Sequence, residues 1–437
     1  MENLKFIDLF AGLGGFHVAL SSMGYECVFA SERKKKLRKL YHENFGIDPH
    51  GDITEVDIDK IPQHDILCAG FPCQPFSKAG SQYGFKDKKN GYLFDYIVDI
   101  LQARNPKYFI LENVRNLEKH EKGKTLGYLI ECLQDYLRYE IDFKVISPHH
   151  FNIPQHRERF FIVGSKEGLG NFKWPRFENY ESTVHDIITE NSGEVISLEA
   201  DKVYALELWQ SFLNRIPKDV SLPGPLWSME FGATYPYLST TPHVTSTRKL
   251  GMLTGNFGIS LKGLSREEKF ENLPSYARTK SKTFPKWKEN FIRKNRQFYL
   301  DYGHLFDDLI YDIEQLGVPS WQKLEWNLKG EKRKIDDYLI QFRGSGIRLK
   351  RTDYFPSLVT VSTQIPVIGW EKRYLTKLEG AKLQNLEMLK LPDTNASAFE
   401  ALGNAVNSEV VRKIVGNLVS ANPNKNLNKQ LELSLAH

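Results

Sequence analysis

A cysteine flanked by prolines stands in the segment Gly70-Phe71-Pro72-Cys73-Gln74-Pro75-Phe76-Ser77. Lone cysteines in globular proteins are mostly small buried hydrophobes, and Cys27, Cys68 and Cys132 are read that way. Cys73 differs because it follows the apolar run HDILCAG, which reads as a strand, and two prolines stiffen its loop. If that strand belongs to a parallel sheet, the loop lies at the carboxyl edge, where such sheets place their ligands. The chemistry offered there is nucleophilic attack by a thiolate. The four cysteines show no CxxC spacing and no paired His motif, so neither a metal site nor a disulfide framework is indicated.

A second group of residues suits a nucleoside. The first apolar run leads directly into Phe10-Ala11-Gly12-Leu13-Gly14-Gly15, a turn whose glycines let backbone approach a ligand at a helix start. Glu32 follows Gly12 by twenty residues, at the end of the second apolar run, where a carboxylate can accept both hydroxyls of a ribose. A surface glutamate is the alternative use. Asp52, in Gly51-Asp52-Ile53-Thr54, can hold an adenine amino group or cap a turn through its own side chain. These residues describe a nucleoside crevice and leave S-adenosylmethionine and NAD equally open.

The elements that must position these groups are visible in the patterning. Short β-rich runs at 5–10, 26–31, 65–69, 108–112, 143–147 and 159–164 alternate with helical stretches such as 15–23 and 92–103, which predicts βαβ units and a doubly wound, mostly parallel α/β sheet. After about Gly170 that rhythm stops and Pro, Gly, aromatic and charged residues punctuate short segments. The expected division is 1–170, a second, smaller domain over 171–380, and a C-terminal segment 381–437 that returns to the first, with a loop and a helix over Ala401 to Val419. At 437 residues, 41% hydrophobic and 26% charged, the chain is composed like a folded protein of two or three domains, not like a disordered or fibrous one. No apolar run approaches the roughly 18 residues of a membrane span and the first residues lack a signal peptide's basic head, so no membrane partner and a cytoplasmic location are expected. The net charge of +5 permits a polyanionic partner, which must be argued from local clusters.

Eight segments, in this order, resemble the cytosine-5 DNA methyltransferases: FIDLFAGLGG, Glu32, GDIT, GFPCQPFS, Leu111-Glu112-Asn113-Val114, Gln155-His156-Arg157-Glu158-Arg159, the stretch from Ile347 to Gln384, and Gly403-Asn404-Ala405-Val406. The resemblance implies a methyltransferase-type α/β fold with S-adenosylmethionine as cofactor. Cytosine C5 is a poor nucleophile, so Cys73 would first add to C6 of a flipped-out base and make C5 an enamine carbon. Glu112 would bond N3 and the exocyclic amine, and Arg159, with Arg157, would face O2. The cofactor would lie against Phe10, Leu13, Gly14, Glu32, Asp52, Ile53, Pro72 and Leu93, with Asn404 and Val406 closing the site. Arg33 stands where the family usually has a bulky apolar residue. Its guanidinium can stack on adenine, although Arg33-Lys34-Lys35-Lys36-Leu37-Arg38-Lys39 also reads as a solvated basic helix face.

The second domain would then recognise double-stranded DNA. Between Arg278 and Arg296, eight basic residues face a single acidic one, with Phe284, Trp287 and Phe291 interleaved. Lys286, Lys288, Arg293 and Lys294 in this segment, and Arg348 and Arg351 beyond it, are the expected phosphate contacts. The large variable region is similar to that of restriction-modification methyltransferases, which implies a cognate endonuclease as a partner and residence on the nucleoid. The tRNA-methylating branch carries a further Cys-Phe-Thr element, and this chain has no cysteine after Cys132. A nicotinamide-dependent dehydrogenase would leave Cys73 and Glu112 unused. A catalytically dead DNA-binding regulator is opposed by the intact pair.

Overall fold

The computed structural model describes residues 3–72, 93–179, 181–188 and 194–421. The chain forms two compact units, Met1–Glu194 with Asp353–Ser362 and Thr376–His437, and Val195–Thr352 with Thr363–Leu375.

The first unit is built on six strands, β1 (Lys5–Leu9), β2 (Glu26–Ser31), β3 (Ile66–Gly70), β4 (Tyr108–Val114), β5 (Glu140–Ile146) and β6 (Arg159–Ser165), in the order β2-β1-β3-β4-β6-β5. The pairs among β1 to β4 are parallel, and β6 runs antiparallel between β4 and β5. Both faces of this sheet are covered, which is why β3 and the first four residues of β4 read as unbroken apolar runs. On one face α3 (Phe94–Arg104) buries Ile97, Ile100 and Leu101 against Leu67, Phe109 and Leu111. On the other lie α1 (Gly15–Ser21) and the C-terminal helix Ser408–Ser420, which buries Val410, Val411, Ile414, Val415 and Leu418. Each such side chain contributes about 1.5–3 kcal/mol on leaving water, so the last helix is firmly part of this unit. At its entrance, a Cβ added to Gly15 would lie 2.4 Å from the carbonyl oxygen of Val406. Only glycine at the start of α1 lets the Gly403-Asn404-Ala405-Val406 segment fold back this closely.

The second unit has its own six-stranded mixed sheet: β7 (Leu226–Trp227), β8 (Lys323–Trp326), β9 (Leu339–Arg343), β10 (Gly346–Lys350), β11 (Val367–Ile368) and β12 (Arg373–Tyr374), in the order β12-β11-β9-β10-β8-β7. Its helices include α4 (Ala200–Arg215) and α5 (Lys286–Tyr302), and Trp227, Tyr235, Leu261, Phe284 and Ile292 share a core.

The doubly wound, mostly parallel sheet expected from the patterning is present, but the division at 170 falls too early. Residues 171–194 group with the first unit. Phe172 and Trp174 pack on its core, and Trp174 Nε1 donates to Asp142 Oδ2 at 2.9 Å. The stretch Asp353–Ser362 also belongs there, because Phe355–Pro356 pairs in parallel with Gln155–His156. The expected loop after Ala401 is in part helical, since 401–404 complete the helix Asn395–Asn404. Among the described residues no helix is long and apolar enough to cross a membrane.

Candidate active site

Strand register brings the chemical groups to one edge. Leu9 pairs with Ser31 on one side and Ala69 on the other, and Gly70 pairs with Glu112. Phe10, Glu32, Phe71 and Glu112 therefore all emerge at the carboxyl ends of β1 to β4. The turn after β1 is tight, with Phe10 at φ 58° and Gly14 at φ 82°. Glu32 ties it down: Oε2 accepts from Gly12 N at 3.0 Å and Oε1 from Lys34 N at 2.7 Å. The carboxylate thus joins the ends of β1 and β2 and keeps lone pairs free on both oxygens. Arg38 donates to the carbonyls of Glu32 and Arg33 at 3.0 and 2.9 Å, pinning the same turn from α2 (Lys35–Phe45).

A cavity of about 310 Å³ opens at this edge, lined by Phe10, Glu32, Arg33, Asp52, Ile53, Pro72 and Leu93 together with Ser31, Lys34 and Gly51. Seven of the expected cofactor residues are therefore gathered here. Asp52 uses Oδ1 to cap the turn Ile53–Glu55, accepting from Thr54 N at 3.1 Å and Thr54 Oγ1 at 2.9 Å, so the turn-capping use is present alongside the cavity position. Leu13, Gly14, Asn404 and Val406 are not in the lining. Leu13 is buried inside the turn, and a Cβ on Gly14 would lie 2.4 Å from the Phe45 ring. Asn404 is exposed and bonds back to Glu400 O at 3.1 Å within its own helix, while Val406 is held against Gly15. Of the basic run, Lys35 and Lys36 form a solvated face and Lys34 pairs with Glu400 at 2.5 Å.

Glu112 is buried at the end of β4, with Arg159 Nε 2.9 Å from its Oε1. Burial pushes its carboxyl pKa up, and the charges of Arg159 and Arg157 only partly oppose this. Neighbouring Asn113 donates from Nδ2 to Phe71 O at 2.7 Å, anchoring the backbone two residues before Cys73. Cys73 itself lies outside the described residues. Arg157 does not share the role expected for it beside Arg159. Its guanidinium is buried and donates to Ser357 Oγ, Leu358 O, Gly403 O and Ala405 O at 2.8–3.2 Å. Arg157 is a positioning residue that joins three distant chain segments.

The family model for C-5 cytosine-specific DNA methylases matches residues 4–420. The chain belongs to this family. Among curated relatives it is 41% identical to the type II methyltransferase M.HhaI of Haemophilus parahaemolyticus over 224 residues, 51% of this chain and 68% of that protein. It is 40% identical to the type II methyltransferase M.DsaV of Dactylococcopsis salina over 221 residues, 49% of this chain and 60% of the relative. The matches thus span about half of this chain and roughly three fifths to two thirds of those relatives. A solved structure from E. coli, of a prophage-encoded protein described as a DNA modification methyltransferase, has the same fold at TM-score 0.50 and 16% identity, over 96% of this chain and 99% of that one.

Behind the glycine turn of this family member lies a buried polar network that sequence reasoning missed. His17 Nδ1 is 2.7 Å from Tyr41 Oη, which donates to Asp8 Oδ2 at 3.3 Å, and the imidazole stacks on Phe45 at 3.9 Å. Burial raises the Asp8 pKa well above the usual carboxylate value and lowers that of His17 to about 4. Tyr41 and Phe45, one helical turn apart on α2, were its only sequence signal. Cys27, Cys68 and Cys132 are buried, as expected.

In the second unit the basic segment is less free than its composition predicts. Arg296 pairs with the fully buried Glu230 at 2.9 Å, and Arg278 is committed to the carbonyls of Leu273 and Glu271. Lys286 is paired with Glu289 at 3.0 Å, and Lys288 donates to Tyr276 O at 3.0 Å among aromatic rings. Arg348 pairs with Glu325, and Arg351 with Glu331 at 2.8 Å. Arg293 and Lys294 are exposed on α5.

Proposed function

We propose that this chain methylates C5 of cytosine within a specific double-stranded DNA sequence, using S-adenosylmethionine and a covalent Cys73 adduct at C6 of a flipped-out base. The observation that carries the reading is the buried Glu112–Arg159 pair at the sheet edge that also carries the Glu32 cavity.

The cavity suits the cofactor by its donor set. Glu32 has unused lone pairs for a ribose diol, Phe10, Ile53, Pro72 and Leu93 offer apolar walls, and Arg33 offers a flat guanidinium. When bound there, S-adenosylmethionine supplies an electrophilic methyl group. Cys73 sulfur forms a bond to C6, and the electron pair released toward N3 meets the proton or hydrogen bond of Glu112. A carboxyl whose hold on a proton is strengthened by burial both identifies N3 and offsets the charge that grows on it. Arg159 keeps that carboxyl oriented. Once C5 carries the methyl group, loss of its proton to a base expels the Cys73 thiolate and restores the aromatic ring. The second unit would recognise the target sequence, and the family likeness to type II enzymes supports protection of DNA against a cognate endonuclease in the cytoplasm, at the nucleoid.

Incubation with radiolabelled S-adenosylmethionine and mixed genomic DNA, followed by base-resolution mapping, tests this. Label should enter DNA as 5-methylcytosine at one recurring sequence. Label entering tRNA and not DNA would overturn the reading.

A further inference from the structure

The second unit contains an open pocket of about 460 Å³ that the catalytic scheme does not use. Its walls are aromatic: Trp227 and Tyr276 lie with ring centroids 4.3 Å apart, and Phe291 meets Trp227 and Trp287 edge-on at 5.4 and 5.7 Å. Trp287 is 55% exposed, an unusual cost for the largest apolar side chain. Two ammonium groups share the lining. Lys288 sits 5.4 and 5.6 Å from the rings of Phe284 and Trp287, and Lys323 sits 5.3 Å from that of Tyr276. The carboxylate in the lining, Glu325, is engaged by Arg348, so the pocket is left net positive. Burial lowers the pKa of both lysines, as expected for cations with little water around them.

Flat π-surfaces beside incompletely solvated cations match a ligand that is planar at one end and anionic at the other. A nucleobase joined to its phosphate has that shape, and base–aromatic stacking tolerates any base because every base has a π-face. We propose that this pocket takes one unstacked DNA nucleotide, its base against Trp287 and its phosphate near Lys288 and Lys323. The proposal rests on DNA being the polymer handled and adds a base-holding subsite apart from the cytosine site.

The test compares binding of a single-stranded thymidine 12-mer with that of a 12-mer of abasic deoxyribose phosphates, equal in charge but lacking bases. The wild-type protein should prefer the thymidine strand on the order of ten-fold or more. Trp287→Ala should erase that preference and leave affinity for the abasic strand unchanged, while Trp287→Phe should keep much of it. Lys288→Met should weaken both strands alike and lower the salt slope by about 0.7. An unchanged preference in Trp287→Ala, or no preference in the wild type, overturns the proposal. Trp287 is largely exposed, so its replacement leaves the core intact. Methyl transfer to duplex DNA is measured on the same preparations: its absence in the wild type would sink the functional reading, while the strand comparison still decides the pocket.

Discussion

Arg159 reaches Glu112 across the antiparallel pair of β4 and β6, Nε to Oε1 at 2.9 Å, from a position diagonal to it in the register, where Val114 faces Arg159 and Phe161 faces Glu112. Burial raises the Glu112 pKa and Arg159 draws it back, so the carboxyl holds a proton to higher pH than an ordinary glutamate without losing it as a titratable group. Glu112→Gln keeps the shape and removes the proton exchange. The expected loss is about 10²-fold in single-turnover methylation with little change in DNA affinity. The wild-type rate should fall as pH rises through the Glu112 pKa, and that limb should be missing from the variant's profile. Equal single-turnover rates would remove Glu112 from catalysis.

Arg157 should behave differently from Arg159. Its four bonds reach residues 200, 201, 246 and 248 positions away, holding the segments around Leu358 and Gly403 to the strand region at 157. Arg157→Met leaves several buried carbonyls without a donor, and a cost of roughly 3–5 kcal/mol is expected. Chemical denaturation measures it. A variant as stable as wild type but slow in methyl transfer would return Arg157 to a direct catalytic role.

The same pair shows what sequence can and cannot carry. Apolar runs at 66–70 and 108–111 are local, and their burial on both faces is written in their own residues, so the sheet was readable from them. Glu32 was readable too, because the strand-turn-helix-strand unit fixes its distance from Gly12. Arg157 and Arg159 look alike in sequence, and only partners more than 200 residues away separate them. The basic segment misled for the same reason: the carboxylate that takes up Arg296 is Glu230, 66 positions earlier. Composition counts charges, whereas pairing across the fold decides which of them remain for a ligand.

His17 gives the protein an acid sensitivity with a definite window. Its pKa is lowered from 6.5 to about 4 by burial, so the folded state binds fewer protons there than the unfolded chain. The stabilisation is present above pH 6.5 and is lost as pH falls toward 4, to a limit on the order of 3 kcal/mol. His17→Gln retains a partner for Tyr41 and does not titrate. The stability difference between the two proteins should therefore change over this window and stay constant above it. A stability difference that stays constant from pH 4 to 8 would show that the fold does not shift the His17 pKa.

Cys73 can be tested chemically. DNA containing 5-fluorocytosine blocks proton loss from C5 after methyl transfer, so the adduct should survive denaturation and migrate as a protein-DNA species. Cys73→Ser should abolish it while DNA affinity persists, since a hydroxyl is a far weaker nucleophile at neutral pH. An adduct that persists undiminished in Cys73→Ser would falsify the assignment.

The last prediction separates the cations of α5 by what they already hold. Arg293 and Lys294 are exposed, so phosphates can reach them without breaking an internal pair. Each phosphate contact releases condensed counterions and steepens the fall of log affinity with log salt by about 0.9 on duplex DNA. Arg293→Ala with Lys294→Ala should flatten that slope by nearly two units and weaken target and scrambled duplexes alike. Arg296 lies on the same helix but is committed to the buried Glu230, whose other oxygen accepts from the Tyr276 hydroxyl at 2.7 Å. Arg296→Ala strands that carboxylate, so it should lower stability by roughly 3–5 kcal/mol and leave the salt slope unchanged. Binding titrations at three salt concentrations, read beside denaturation curves, distinguish the two classes. A slope that drops equally for Arg296→Ala and for the exposed pair would mean that Arg296 leaves Glu230 for DNA, and the division by internal pairing would fail.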